Sequence, residues 1–268
     1  MSPRLPRRLL SHAVGATLIA TLIATAFAAP ASAATSASTA EAMIIGWVNT
    51  TRINAGLKPL RGDTDLAYIA GVRASRMASN NVMNHTIGGN LYNQLRYRDV
   101  QWYRYGEAVG WSGSAWTVEA ARSLYRMWMA SPSHRALLMS TRFNYIGLGL
   151  AYRSSNRRTF GSAVMTESLD HTPVIARVTG ASRSGDDVSW TWNGYDPRLQ
   201  THTAGLRDFD LQYRVGSGSW RMLRDNTISK SLVLRDRSHG QYYAIRVRGT
   251  DRRGNVGAWT AQSRIWVP

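Results

Sequence analysis

The chain has 268 residues, 44% of them hydrophobic, which is enough for two ordinary domains with separate cores. It has no cysteine, which excludes disulfides, thiolate metal sites, a cysteine nucleophile and a lipidated cysteine anchor. The formal net charge is +17, yet the excess is shared evenly between 35–170 and 171–268, forms no stripe and accompanies no nucleic-acid motif, so a specific nucleic-acid partner is excluded and an anionic cell surface remains as a non-specific one.

Residues 1–34 read as a secretory signal. Arg4, Arg7 and Arg8 form a basic start, "GATLIATLIATAFA" is apolar, and "ASA" at 31–33 ends in small residues, so cleavage is expected near Ala33 or Ala34. Arg7-Arg8 hints at twin-arginine export, although "LPRRLLS" fits that signal poorly. No later run is long enough for a transmembrane anchor. A flexible leader is expected over 35–40.

From 41 to about 170 the pattern is helical and then β. "AEAMIIGWVNTTRINAG" places Met43 or Ile44, Trp47 and Thr51–Asn54 on one helical face and stops at Gly56. "DTDLAYIAGVRASRMASNN" repeats the period at Leu66, Ile69–Ala70, Ala74 and Met77, with Asp63 or Thr64 as N-cap. A third helix from Thr117 carries Val118, Ala121, Leu124–Tyr125 and Trp128 on one face. Strands are expected at "YGEAVGW" (105–111), "YIGLGLAY" (145–152) and "TFGSAVMTES" (159–168). Between the third helix and these last strands stands "SPSHR", in which Pro132 ends one helix and Ser133 N-caps the next. Beyond about 170, short alternating runs separated by Gly, Asp, Asn and Pro turns predict an antiparallel sandwich over 171–268. The fold class is therefore α+β followed by all-β.

The first domain holds two of the six histidines, His85 and His134, and three well-placed acids, Glu107, Glu119 and Glu167. Two histidines and a carboxylate can hold zinc or another divalent ion and leave a position open for water. The other reading is that each histidine caps a turn or pairs with an acid, and the absence of HExxH leaves both open. Ser131 and Ser133 do not make a Gly-x-Ser-x-Gly elbow, and no helix follows the glycines of "GLGLAY" as a dinucleotide loop requires. Arg61-Gly62-Asp63 reads as a loop and cap rather than an adhesion tripeptide, and the sequons "NTT" and "NHT" are discounted as glycosylation sites.

Taken together and in order, "NTTRINAGLKPL", "DLAYIAGVRASRMASNNVMNHT", "YGEAVGW" and "MWMASPSHRALLMSTRFNYIGLGLAY" resemble the bacterial branch of the CAP superfamily, whose SCP domain unites cysteine-rich secretory proteins, antigen 5 and pathogenesis-related 1 proteins. The resemblance covers about 40–169 and implies an α-β-α sandwich with a cleft lined by two histidines and one or two glutamates. By motif these are His85, Glu107 and His134. The usual Asn after the motif glutamate is Ala108, the turn after His85 is "TIGGN", and the acid that follows the helix tryptophan in many members is replaced by Met129. The family has been linked to lipid or sterol binding, peptide signalling and proteolysis, so fold does not settle activity.

Residues 172–268 resemble a fibronectin type III module, with Trp192, Tyr213 and Val247 in the core and Tyr243 near the start of the sixth strand. Trp190, Trp220, Trp259 and Trp266 are candidates for an exposed sugar-binding face, against a spacer role, and His202 and His239 fall in loops. Three functions follow: an exported protein binding a lipid, peptide or cell-wall glycan in the His85–Glu107–His134 cleft, with zinc or another divalent ion as cofactor; a metal-assisted hydrolase with Glu107 as general base; or a cell-envelope adhesion protein.

Overall fold

The computed structural model describes residues 36–268 other than Trp116, so the expected signal at 1–34 lies outside the described residues. The first domain is built from helices α1 (Ala37–Asn54), α2 (Thr64–Asn80), α3 (Leu91–Tyr97), α4 (Val118–Ala130) and α5 (Pro132–Leu138), and strands β1 (Arg61–Gly62), β2 (Arg104–Ser112), β3 (Tyr145–Arg153) and β4 (Arg158–Glu167). The strands form one sheet in the order β1-β3-β4-β2. Ile44, Val48, Leu124, Trp128 and Leu138 pack with Ala108, Ile146 and Ala163, so α1, α4 and α5 cover one face. On the other face Leu66, Ile69 and Ala70 of α2 and Leu95 of α3 meet Tyr145 and Val164. This is the expected α-β-α sandwich.

Local chemistry explains the elements. Asp63 caps α2 by accepting from the Leu66 amide at 2.9 Å, and Thr117 caps α4 by accepting from Ala120 at 3.1 Å. The alternating glycines of "GLGLAY" lie in β3 under α2. A Cβ at Gly147 would stand 2.0 Å from the Leu66 carbonyl carbon, and one at Gly149 would stand 2.1 Å from the Gly71 amide. These two positions therefore let helix and strand backbones approach closely.

Three expectations need correction. Residues 37–40, assigned to a flexible leader over 35–40, are the first turn of α1, because Ser36 accepts from the Thr39 amide at 3.2 Å and Ala40 is buried. Pro132 does not stop a helix but opens α5 at its first position, where no amide donor is needed; Ser131, not Ser133, is the N-cap residue. The inward face of α1 carries Ala40, Ile44, Val48 and Arg52, rotated from the expected one. Arg52 is buried, donates to the carbonyls of Lys58 (2.9 Å), Leu138 (2.7 Å) and Ser140 (3.0 Å), and loss of hydration pulls its pKa down to about 10. It thereby pins the C-terminal end of α5.

The second domain pairs a three-stranded sheet, β5 (Ile175–Ser184), β6 (Asp187–Tyr195) and β9 (Ser231–Leu234), in the order β5-β6-β9, with a four-stranded one in the order β11-β10-β7-β8. The latter comprises β7 (Leu206–Val215), β8 (Arg221–Thr227), β10 (Gln241–Asp251) and β11 (Ser263–Val267). Trp190, Trp192, Phe209, Leu211, Ile245 and Val247 fill the space between the sheets. The Tyr243 hydroxyl donates to the Ser238 carbonyl at 3.2 Å, the tyrosine corner of such sandwiches. Trp190 is buried two residues from Trp192 on the same side of β6, so it cannot belong to a sugar-binding face. Trp220 and Trp259 are stacked with arginines: Arg214 and Arg246 lie 4.7 Å from the Trp220 ring, and Arg246 and Arg248 lie 4.9 and 4.6 Å from Trp259.

The loop after β6 reaches back to the first domain. Leu199 is buried with Leu66, Ile69 and Tyr145, and the Gln200 amide oxygen accepts from the Lys58 backbone at 2.7 Å. His171 stacks on Tyr145 with ring centroids 3.8 Å apart and pairs with Asp63 at 2.7 Å. Among the described residues no helix is long and apolar enough to cross a membrane.

Candidate functional site

Glu107 sits in the middle of the edge strand β2, opposite Val164 of β4. Its side chain shares a face with Ser162, the diagonal neighbour on β4, and that face is the one covered by α2. The carboxylate is buried and accepts four hydrogen bonds. Oε1 receives Arg73 Nε at 2.5 Å and Ser162 Oγ at 2.7 Å; Oε2 receives Arg73 Nη2 at 2.8 Å and lies 2.9 Å from His85 Nδ1. Four is about the number of lone-pair sites a carboxylate offers.

Arg73 comes from the centre of α2's buried stripe. Besides its two bonds to Glu107 it donates to the carbonyls of His85 (2.5 Å) and Gly89 (2.8 Å) and to the side-chain oxygen of Gln94 (3.0 Å). All five guanidinium N–H groups are thus used, and the bidentate fork fixes the carboxylate plane. The loop that carries His85 is shaped by Asn84, whose Oδ1 accepts from the amides of Thr86 (3.0 Å) and Ile87 (2.7 Å). The "NHT" asparagine is therefore part of a turn. Burial raises the Glu107 pKa, but the Arg73 hydrogen bonds and charge, with help from His85 and Ser162, outweigh it and hold the carboxyl below the usual range.

His134 arrives on α5, from the layer of α1 and α4. Burial lowers its pKa and the neighbourhood of His85 lowers it further, which favours the neutral ring. Its Nδ1 is buried and has no hydrogen-bond partner among the described residues. His85 and Glu107 are thus in contact, and His134 is an electrostatic neighbour of His85. Glu119 stands in the first turn of α4, and Glu167 pairs with Arg104 at 3.2 Å and His202 at 3.4 Å, so neither joins the site.

As three direct ligands of one zinc ion, the expected set of His85, Glu107 and His134 does not converge. Zinc bonds of about 2 Å require donor atoms roughly 3–4 Å apart. Among the described residues the one group of three or more His, Asp or Glu ligand atoms within 4.8 Å of one another is Asp170, Asp196 and Asp251. Glu107 also has no lone pair left, and a guanidinium stands where a cation would approach. The same saturation and lowered pKa make Glu107 a poor general base.

The network borders a groove of about 490 Å³ lined by Tyr68, Ile69, Val72, Gln94, Tyr97 and Arg98. Gln94 and Gly89, both acceptors for Arg73, form its wall, so the charged network fixes the groove's shape. Arg98 at its rim is held by Asp65, with Nε at 2.9 Å, and lies 4.5 Å from the Tyr68 ring. Arg73 was missed in the sequence, although its position three and four residues from Ala70 and Ile69 put a cation inside an apolar stripe, and that was a readable signal.

Parts of this chain are similar to known proteins. An extracellular SCP-domain protein from Bacillus anthracis is 22% identical over 49% of this chain and 41% of its own, with a TM-score of 0.42. A cysteine-rich secretory protein from Staphylococcus aureus is 23% identical over 49% of this chain and 39% of its own, with a TM-score of 0.39. The chain thus spans about two fifths of the length of these two proteins. An Fn3-like protein from Clostridium thermocellum is 18% identical over 34% of this chain and 91% of its own, with a TM-score of 0.25. No curated protein matches the sequence. Residues 45–165 match the profile of the CAP family, described as the cysteine-rich secretory protein family. The first domain is therefore a CAP domain, here without cysteine, and the chain joins it to a fibronectin type III-like sandwich.

Proposed function

We propose that this is an exported binding protein that holds an amphiphilic ligand in the groove between α2 and α3, and that Arg73, Glu107 and His85 frame that groove rather than react. The observation that carries this reading is the saturation of Glu107: four donors occupy it, and the arginine supplying two of them also grips both Gly89 and Gln94 on the groove wall. Tyr68, Ile69, Val72 and Tyr97 offer apolar surface, and Arg98 with its partner Asp65 makes a polar rim. Lipid-like ligands suit this lining better than glycans or polar peptides. Export rests on the signal-like residues 1–34.

The test is a fluorescence titration with cis-parinaric acid. Saturable binding that falls about tenfold or more in Val72→Arg supports the reading, since a buried charge in the groove is costly. Unchanged binding in that variant, or casein hydrolysis lost in His85→Ala, overturns it.

A second reading concerns the sandwich. The stack Arg214–Trp220–Arg246–Trp259–Arg248 displays three guanidinium groups on the outer face of the β7–β10 sheet, and Arg264 adds a fourth over Tyr242 at 4.9 Å. This face suits an anionic envelope surface, which would place the protein against the cell. Sedimentation with phosphatidylglycerol vesicles should be salt-dependent and should fall in Arg246→Ala; equal sedimentation of that variant contradicts it.

A further inference from the structure

Three aspartates from separate segments meet where the sandwich loops come against the first domain. Asp170 lies in the connection after β4, Asp196 follows β6, and Asp251 ends β10. All three are buried, Asp196 at 8% exposure, and one carboxylate oxygen of each lies within 4.8 Å of the other two.

Their hydrogen-bond donors are all neutral. Asp170 accepts from the Tyr145 hydroxyl (3.2 Å) and from the amides of Thr172 and Ala204 (both 2.8 Å). Asp251 accepts from the amides of Arg253 and Asn255 (both 2.8 Å) and from Asn255 Nδ2 at 2.7 Å. Asp196 Oδ2 accepts from the Gly205 amide at 2.5 Å, but its Oδ1 is buried and, among the described residues, has no hydrogen-bond donor. Two cations of these segments are committed elsewhere: His171 to Asp63 at 2.7 Å and Arg207 to Asp208 at 2.7 Å. Among the described residues the triad has no salt-bridge partner, in contrast with Glu107.

Three carboxylates at this spacing repel strongly in a low-dielectric setting, and an orphaned buried oxygen adds an unmet desolvation cost. A cation bound among them would remove both costs. Oxygen-only donors select hard ions over zinc or copper. Calcium accepts irregular carboxylate sets completed by water, whereas magnesium demands a near-ideal octahedron and sheds water reluctantly.

We propose that Asp170, Asp196 and Asp251 form a calcium site, with Asp196 Oδ1 as a ligand, that ties the connection after the CAP domain to two loops of the sandwich. The bound ion would cross-link segments that are far apart in sequence. It would stabilise the folded chain by mass action, because the unfolded chain does not bring the three aspartates together.

The test uses the full chain, stripped with EDTA and then titrated with calcium chloride by calorimetry, with the melting temperature followed in parallel. One ion per chain is expected, with a dissociation constant on the order of 10⁻⁴–10⁻³ M and a rise in melting temperature at about 10 mM calcium. Terbium in place of calcium should luminesce on excitation of Tyr145, whose hydroxyl lies 3.2 Å from Asp170 Oδ1. Asp196→Asn keeps an acceptor for Gly205 and should abolish the calcium-dependent rise and the terbium signal. Should that variant fail to fold, Asp251→Asn must give the same losses. Calcium binding unchanged in a folded variant places the ion elsewhere and overturns the proposal. So does the absence of binding at about 10 mM combined with stability that falls as pH rises, since a proton shared by Asp170 and Asp196 then neutralises the triad.

Discussion

Glu107 in the CAP domain accepts four hydrogen bonds, two of them from the guanidinium of Arg73, whereas Asp196 beside the sandwich leaves one buried oxygen without a donor next to two further carboxylates. Both sites bury acids at the ends or edges of strands. The first carries its counter-ion in the chain, and its carboxylate is fully hydrogen-bonded. The second has neutral donors alone and needs a positive charge from solution. Buried acidic residues thus point to a cation site only when the chain has not already neutralised them.

Substitutions can break this comparison, and the largest effect is expected at Arg73. Arg73→Met leaves the Glu107 carboxylate buried without its cation and should cost about 3–5 kcal/mol in chemical denaturation, with most of the loss recovered when Glu107→Gln is added. The melting temperature of Ser162→Ala should report a smaller loss of about 1.5–3 kcal/mol, the range for a hydrogen bond to a charged group. Asp196→Asn acts in the opposite direction. In EDTA it removes one of three crowded charges and should stabilise the chain by about 1–3 kcal/mol. His85→Ala should cost less than about 1 kcal/mol, because the His85 side chain is 57% exposed and its contact with Glu107 is screened.

Acidification sharpens the same contrast. The lowered Glu107 pKa means that its contribution is complete above the ordinary value of 4.5 and is lost as pH falls through the folded value. His134, lowered by burial and by His85, adds a loss that starts as pH drops below its ordinary 6.5. Melting temperatures in EDTA should therefore fall between pH 7 and pH 4, and Arg73→Met should flatten the lower part of that fall.

The helical periods, the strands and the change of pattern near 170 were legible because each is a local property of the chain. The histidine–glutamate contact followed from the order of "NHT" and "YGE", which only the family resemblance made meaningful. Arg73 is harder to read: it occupies a core position by period, but a basic side chain carries no hydrophobic signal of burial. The helix α3 was missed because its seven residues are too few to show a period. The aspartate triad could not be read at all, since 170, 196 and 251 each look like ordinary strand-end turns until folding brings them together.

The most direct measurement compares Glu107→Gln with Asp196→Asn in EDTA at neutral pH, by urea denaturation of the full chain. Each replacement is nearly isosteric and removes one buried charge. The account predicts opposite signs, with Glu107→Gln destabilised because Arg73 loses its carboxylate and Asp196→Asn stabilised because the triad loses a repelling charge. Equal signs for the two variants would contradict it.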